Sequence, residues 1–121
     1  MENCLAVGFG GFVGSILRYL IGLVPLGGGN FPAKTFFINV AGAFLIGFVT
    51  ATALKNPTLM DRRLVLFLKV GVCGGFTTFS TYALEIGGLI ENNLWGTAVL
   101  YIVVSTILGT LAYFCGCAVV R

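Results

Sequence analysis

Histidine is absent from this 121-residue chain and only four residues are acidic, so general acid–base catalysis lacks its usual players. Charged residues of both signs make up just 9%, against roughly a quarter in an average soluble domain. Such a chain cannot cover a water-facing surface, and an enzyme is not expected. The seven basic residues are scattered between apolar runs and form no patch or stripe, which argues against nucleic acid as a partner. They read as charges flanking membrane spans. Cys4, Cys73, Cys115 and Cys117 all sit in apolar segments, and Cys115 and Cys117 point to different helix faces, so a zinc site is not expected. No Thr-Val-Gly-Tyr-Gly string is present, which excludes a potassium filter. Gly8 and Gly10 are followed at position 13 by valine, so no dinucleotide fingerprint is formed either.

What the chain has in quantity is apolar length. Hydrophobic residues make up 58%, and uncharged, mainly apolar stretches occupy 3–17, 19–33, 35–54, 70–84 and 92–120. As a helix, 35–54 alone spans about 30 Å, the thickness of bilayer hydrocarbon. The first run follows Glu2 and leads into further spans without a basic n-region, so it reads as a retained span and not a removable signal. The expected fold is an all-α membrane protein, one unit over 1–121, with four transmembrane helices at about 4–24, 33–54, 64–90 and 95–119. Pro25 with Gly27-Gly28-Gly29-Asn30 and Pro32 make the first turn. Asn56-Pro57 with Asp61-Arg62-Arg63 make the second, and Glu91-Asn92-Asn93 the third. Tyr19 and Trp95 stand near span ends, where amphipathic rings prefer the interface.

Small residues recur on single helix faces: Gly8, Gly11, Ser15 and Gly22 share one with Arg18 on the first span, Gly42, Ala43, Gly47 and Thr50 one with Asn39 on the second, and Ser105, Gly109, Ala112 and Gly116 form one on the fourth. In lipid such stripes let backbones approach closely, within one chain or between two. Four short spans enclose little space, so function is expected to need a second chain. Lys55, Arg62, Arg63, Lys69 and Arg121 outnumber Arg18 and Lys34 across the membrane, which places the N-terminus in the cytoplasm by a modest margin and leaves insertion both ways round open.

The third span holds Gly71-Val72-Cys73-Gly74-Gly75-Phe76-Thr77-Thr78-Phe79-Ser80-Thr81-Tyr82. Two adjacent glycines and a threonine pair are poor material for a helix interior, so the span is expected to break at mid-membrane. Unwound backbone survives there only where protein, water or an ion satisfies it.

With Gly10-Gly11, Gly14, Arg18-Tyr19, Asn39 and Gly42, that string resembles the Fluc (CrcB) fluoride channels over essentially the whole chain. The resemblance implies an antiparallel, dual-topology dimer in the cell membrane that exports fluoride passively and confers fluoride resistance. It implies a structural sodium ion at the dimer centre, held by the backbone carbonyls of Gly74 and Thr77. It implies a fluoride pathway beside the aromatics Phe79 and Tyr82, the amide of Asn39, and a hydroxyl track of Ser80, Thr81 and Thr110, with Arg18 at a vestibule or subunit contact. Ring edges carry partial positive charge and suit an anion. Tyr82 departs from the phenylalanine usual in the family, and Thr110 from the commoner serine. The partner subunit is an identical chain or a paralogue. The alternative reading, a small proton-coupled multidrug-type transporter, needs a membrane carboxylate, for which Glu85 is the candidate. A further alternative is a weakly conducting subunit paired with a paralogue.

Overall fold

The computed structural model describes residues 1–121, all helix and connecting turn. The elements are α1 (Glu2–Leu23), α2 (Ala33–Lys55), α3 (62–76), α4 (Phe79–Glu91) and α5 (Trp95–Val120). Segments α3 and α4 together make the third span, so four helices are long and apolar enough to cross a membrane, Arg62–Glu91 being one of them. Each span begins and ends within two residues of the expected positions.

The stops follow from local chemistry. Past α1 the chain meets Pro25, and Gly27 takes a φ of 75°, which suits a residue without Cβ. Asn56-Pro57 ends α2, since the residue before a proline avoids helical backbone. Asp61 caps α3 by accepting the Leu64 N–H at 2.8 Å. Asn93, at φ 61°, makes the tight turn between α4 and α5.

Packing is organised in two parallel pairs of helices seamed by glycine. On α1, Gly10 and Gly14 face α3, and a Cβ on either would lie within 2.3 Å of a backbone carbonyl oxygen of Phe67 or Val72. Gly71 answers across the same seam, where a Cβ would sit 2.6 Å from the Cα of Gly10. On the other side Gly47 of α2 presses on the Tyr113 carbonyl, and Gly116 of α5 on that of Phe44. Of the first-span stripe, Gly8, Gly11 and Gly22 have no neighbour at their own Cβ positions; the seam within the chain uses Gly10 and Gly14. Along this seam Leu66–Cys73 is wound as a π-helix, a wider coil often found at functional sites.

The expected break is present, at the threonine end of the Gly-Gly-Phe-Thr-Thr stretch. Gly74-Gly75-Phe76 is still helical, and the extended backbone is at Thr77 (ψ 156°) and Thr78 (φ −150°, ψ 121°). Gly75 therefore serves contact more than unwinding: a Cβ on it would meet the Gly11 carbonyl oxygen at 2.6 Å. Beyond the break the span changes partners. Segment α3 lies on α1, whereas α4 leaves α1 and packs on α2 and α5. There Phe36, Leu89, Ala98 and Tyr101 form the buried cluster, with Tyr82 and Ile86 packed against it. Only 16 of 121 residues are buried, so most apolar surface of the subunit is left for lipid or another chain.

Candidate functional site

Because α4 diverges from α1 after the break, a cavity of about 450 Å³ opens between α1, α2 and α4. Its walls carry Arg18 and Lys34, the hydroxyls of Ser15, Thr35, Thr78 and Thr81, and Glu85. Neither cation has a carboxylate partner, since the chain's one ion pair joins Arg63 to Glu2 at the surface. Arg18 donates from Nε to the Gly75 carbonyl at 3.1 Å, and Lys34 from Nζ to that of Gly22 at 2.7 Å. Each keeps further N–H groups for the cavity. Glu85 is held from two sides: Thr35 Oγ1 donates to Oε1 at 2.6 Å and Tyr101 OH to Oε2 at 2.7 Å. With two cations against one engaged carboxylate, the cavity favours an anion.

Thr78 separates this space from a second cavity of about 270 Å³, lined by Asn39, Ala43, Ile46, Thr77, Thr78 and Phe79. Glu85 likewise borders a third, of about 540 Å³, beneath the loop of Gly29–Pro32 and the end of α4. The break and Glu85 are thus shared walls in a row of three cavities.

At the break itself, Thr78 Oγ1 caps α4 by accepting the Thr81 N–H at 3.3 Å. The same oxygen stands 3.3 Å from Ser80 Oγ and donates to Thr81 Oγ1 at 3.2 Å. Asn39 reaches across from α2 and bonds both polar groups of the Thr78 backbone. Thr77 Oγ1 turns back to the Cys73 carbonyl at 2.8 Å. No side-chain, cap or loop hydrogen bond ends on the carbonyl oxygen of Gly74 or of Thr77.

Phe79 is 79% exposed and stands beside Tyr82, ring centroids 5.8 Å apart. Tyr82 in turn packs edge-on to Tyr101 at 4.9 Å. The structure therefore brings together Arg18, Asn39, Thr77, Phe79, Ser80, Thr81 and Tyr82 around one broken turn. Thr110 is apart from them: it lies on an exposed face of α5, its hydroxyl bonded to the Thr106 carbonyl at 2.8 Å, and it lines none of these cavities. Sequence reasoning passed over Thr35, Lys34, Tyr101 and Thr78. Thr78 was findable as a cap, a threonine three residues before Thr81 at a helix start; the contact of Tyr101 with Glu85 joins two spans and leaves no local signal.

Fold and site together define a small multi-pass membrane protein whose polar groups line cavities. The family profile described as CrcB-like protein, Camphor Resistance (CrcB), matches residues 5–117. The chain is 47% identical over 117 residues to a protein of Chlorobaculum tepidum named fluoride-specific ion channel FluC, covering 96% of this chain and 92% of that one. Identity is 43% to the protein of the same name from Rhizobium meliloti, over 100% of this chain and 98% of that one. The FluC protein of Thermus thermophilus is 42% identical, covering 96% and 93% respectively. The chain belongs to the CrcB family, a family of membrane ion channels and not of enzymes.

Proposed function

We propose that this chain is a subunit of a fluoride-selective channel of the cell membrane that lets fluoride leave the cytoplasm passively. One observation carries the reading: near-full-length similarity to fluoride-specific channels coincides with a span broken beside an exposed aromatic pair and a cavity with two unpaired cations. Arg18 and Lys34 concentrate the anion in the wide cavity. Past Thr78 the route narrows along Phe79 and Tyr82, whose ring edges replace water around a small anion. Ser80 and Thr81 supply hydroxyls next to the rings, while Thr110, spent on its own helix, enters only if a second subunit covers that face of α5. Hydrogen fluoride crosses membranes neutral and ionises inside, so a passive pore is enough to drain it.

The functional unit is a dimer of antiparallel copies, with a paralogue as the other candidate partner. Gly74 is exposed with open space at its Cβ position, so its face is available to a second subunit. The carbonyl oxygens of Gly74 and Thr77, which no side-chain, cap or loop donor engages, suit sodium, a hard cation that prefers oxygen ligands, and two copies supply four of them. Bound there, the ion contributes cohesion between subunits.

Purified protein in vesicles, followed with a fluoride electrode, should release fluoride and not chloride, electrogenically and without proton coupling. No fluoride release refutes the reading, and release that requires a pH gradient favours the proton-coupled transporter with Glu85 as its carrier. Replacing sodium by a bulky organic cation during purification should lower the flux; equal flux removes sodium from the proposal.

A further inference from the structure

In an unbroken helix the Thr78 N–H would donate to the Gly74 carbonyl, four residues back. Here it donates to Asn39 Oδ1 at 2.9 Å, and Asn39 Nδ2 donates to the Thr78 carbonyl at 3.2 Å. A side-chain amide pairs with a backbone peptide through both its donor and its acceptor. One turn along α2, Gly42 makes room for the same segment: a Cβ there would lie 2.1 Å from Thr77 Cγ2. The Asn39–Gly42 face of α2 is a fitted seat for Thr77-Thr78.

We infer that Asn39 is a positioning residue that keeps the third span broken, by taking the Thr78 N–H that would otherwise rewind onto the Gly74 carbonyl. Two consequences follow from one contact. The Gly74 oxygen is left without a donor, and Thr78 is held extended so that α4 starts afresh and swings away from α1. The wide cavity exists because of that swing. Arg18 secures the preceding turn from the opposite helix through the Gly75 carbonyl.

The discriminating variant is Asn39→Asp. Protonated, its carboxylic acid reproduces the amide, the O–H donating to the Thr78 carbonyl and the C=O accepting its N–H. Ionised, it accepts but cannot donate, and places negative charge on the Thr78 oxygen. The cavity beside Asn39 contains no titratable side chain. The titratable groups on the packed elements include Arg18 and Tyr19 of α1, Lys34 of α2, Lys69 and Cys73 of α3, Tyr82 and Glu85 of α4 and Tyr101 of α5, all present in the wild type, whose own pH profile is the control.

Two arms test this, and only the second rests on fluoride conduction. In fluoride-free bilayers, the ¹⁵N–¹H resonance of Thr78 in Asn39→Asp should match wild type at acid pH and move away as the carboxyl ionises. In Asn39→Ala it should be displaced throughout. In vesicles, fluoride flux through Asn39→Asp, relative to wild type at the same pH, should rise about tenfold from pH 7.5 to pH 5, the loss expected from one or two hydrogen bonds. Asn39→Ala should stay low at both. A Thr78 resonance identical in all three proteins overturns the inference. If wild type passes no fluoride, the proposed function fails while the Thr78 resonances still decide the role of Asn39.

Discussion

Gly74 and Gly75 are neighbours in sequence with opposite surroundings, and substituting each by alanine separates what each glycine is for. A Cβ on Gly75 would stand 2.6 Å from the Gly11 carbonyl oxygen, 3.1 Å from Gly11 Cα and 3.2 Å from Ser15 N. All three are backbone atoms, so no side chain can swing aside. Restoring ordinary contact requires α1 and α3 to part by about 0.8 Å, and overpacking of that kind costs about 1–3 kcal/mol. Alanine returns about 1 kcal/mol through helix propensity. Gly75→Ala should therefore destabilise the subunit by up to about 2 kcal/mol, as much as thirtyfold in the folding equilibrium. Gly74→Ala meets nothing within 4 Å inside the chain, so it should leave subunit stability unchanged or raise it by up to about 1 kcal/mol. Because that open face is where a second subunit would sit, Gly74→Ala should instead weaken the dimer and the flux. The assay is denaturant unfolding of dilute protein in detergent, read from Trp95, the only tryptophan, alongside crosslinking at higher concentration. Equal unfolding midpoints for the two variants would refute the reading of Gly75 as a contact with α1.

Phe79→Ile keeps the bulk but removes the ring edge, and should lower fluoride flux at least about tenfold with dimerisation intact, checked by electrode and crosslinking. Tyr101→Phe removes, from a fully buried ring, the hydroxyl that donates to Oε2 of the half-buried Glu85, and should cost about 1–3 kcal/mol in the same unfolding assay. Asp61→Ala removes the cap of α3 and should cost about 1 kcal/mol without altering selectivity, measured by unfolding and by fluoride against chloride flux.

Composition and hydrophobic length by themselves determined that this is a four-span membrane protein, because lipid demands long uncharged helices and Pro, Gly and Asn-rich turns punctuate them. The motif around Gly74 to Tyr82 also located the broken turn, since such residues are costly in a continuous helix. Which glycines touch was decided only in three dimensions. The same spacing rules allow Gly8 and Gly11 or Gly10 and Gly14, and only the rotation of α1 against α3 turns the Cβ positions of the second pair into the seam, while Gly11 meets Gly75 through its backbone. The place of the break was also a tertiary outcome: propensity pointed to the glycines, but Asn39 reaches Thr78, and the hydrogen bonds of an amide on another helix set where winding stops. The engagement of Glu85 by Thr35 and Tyr101 belongs to the same class, a contact among three spans that no local pattern encodes.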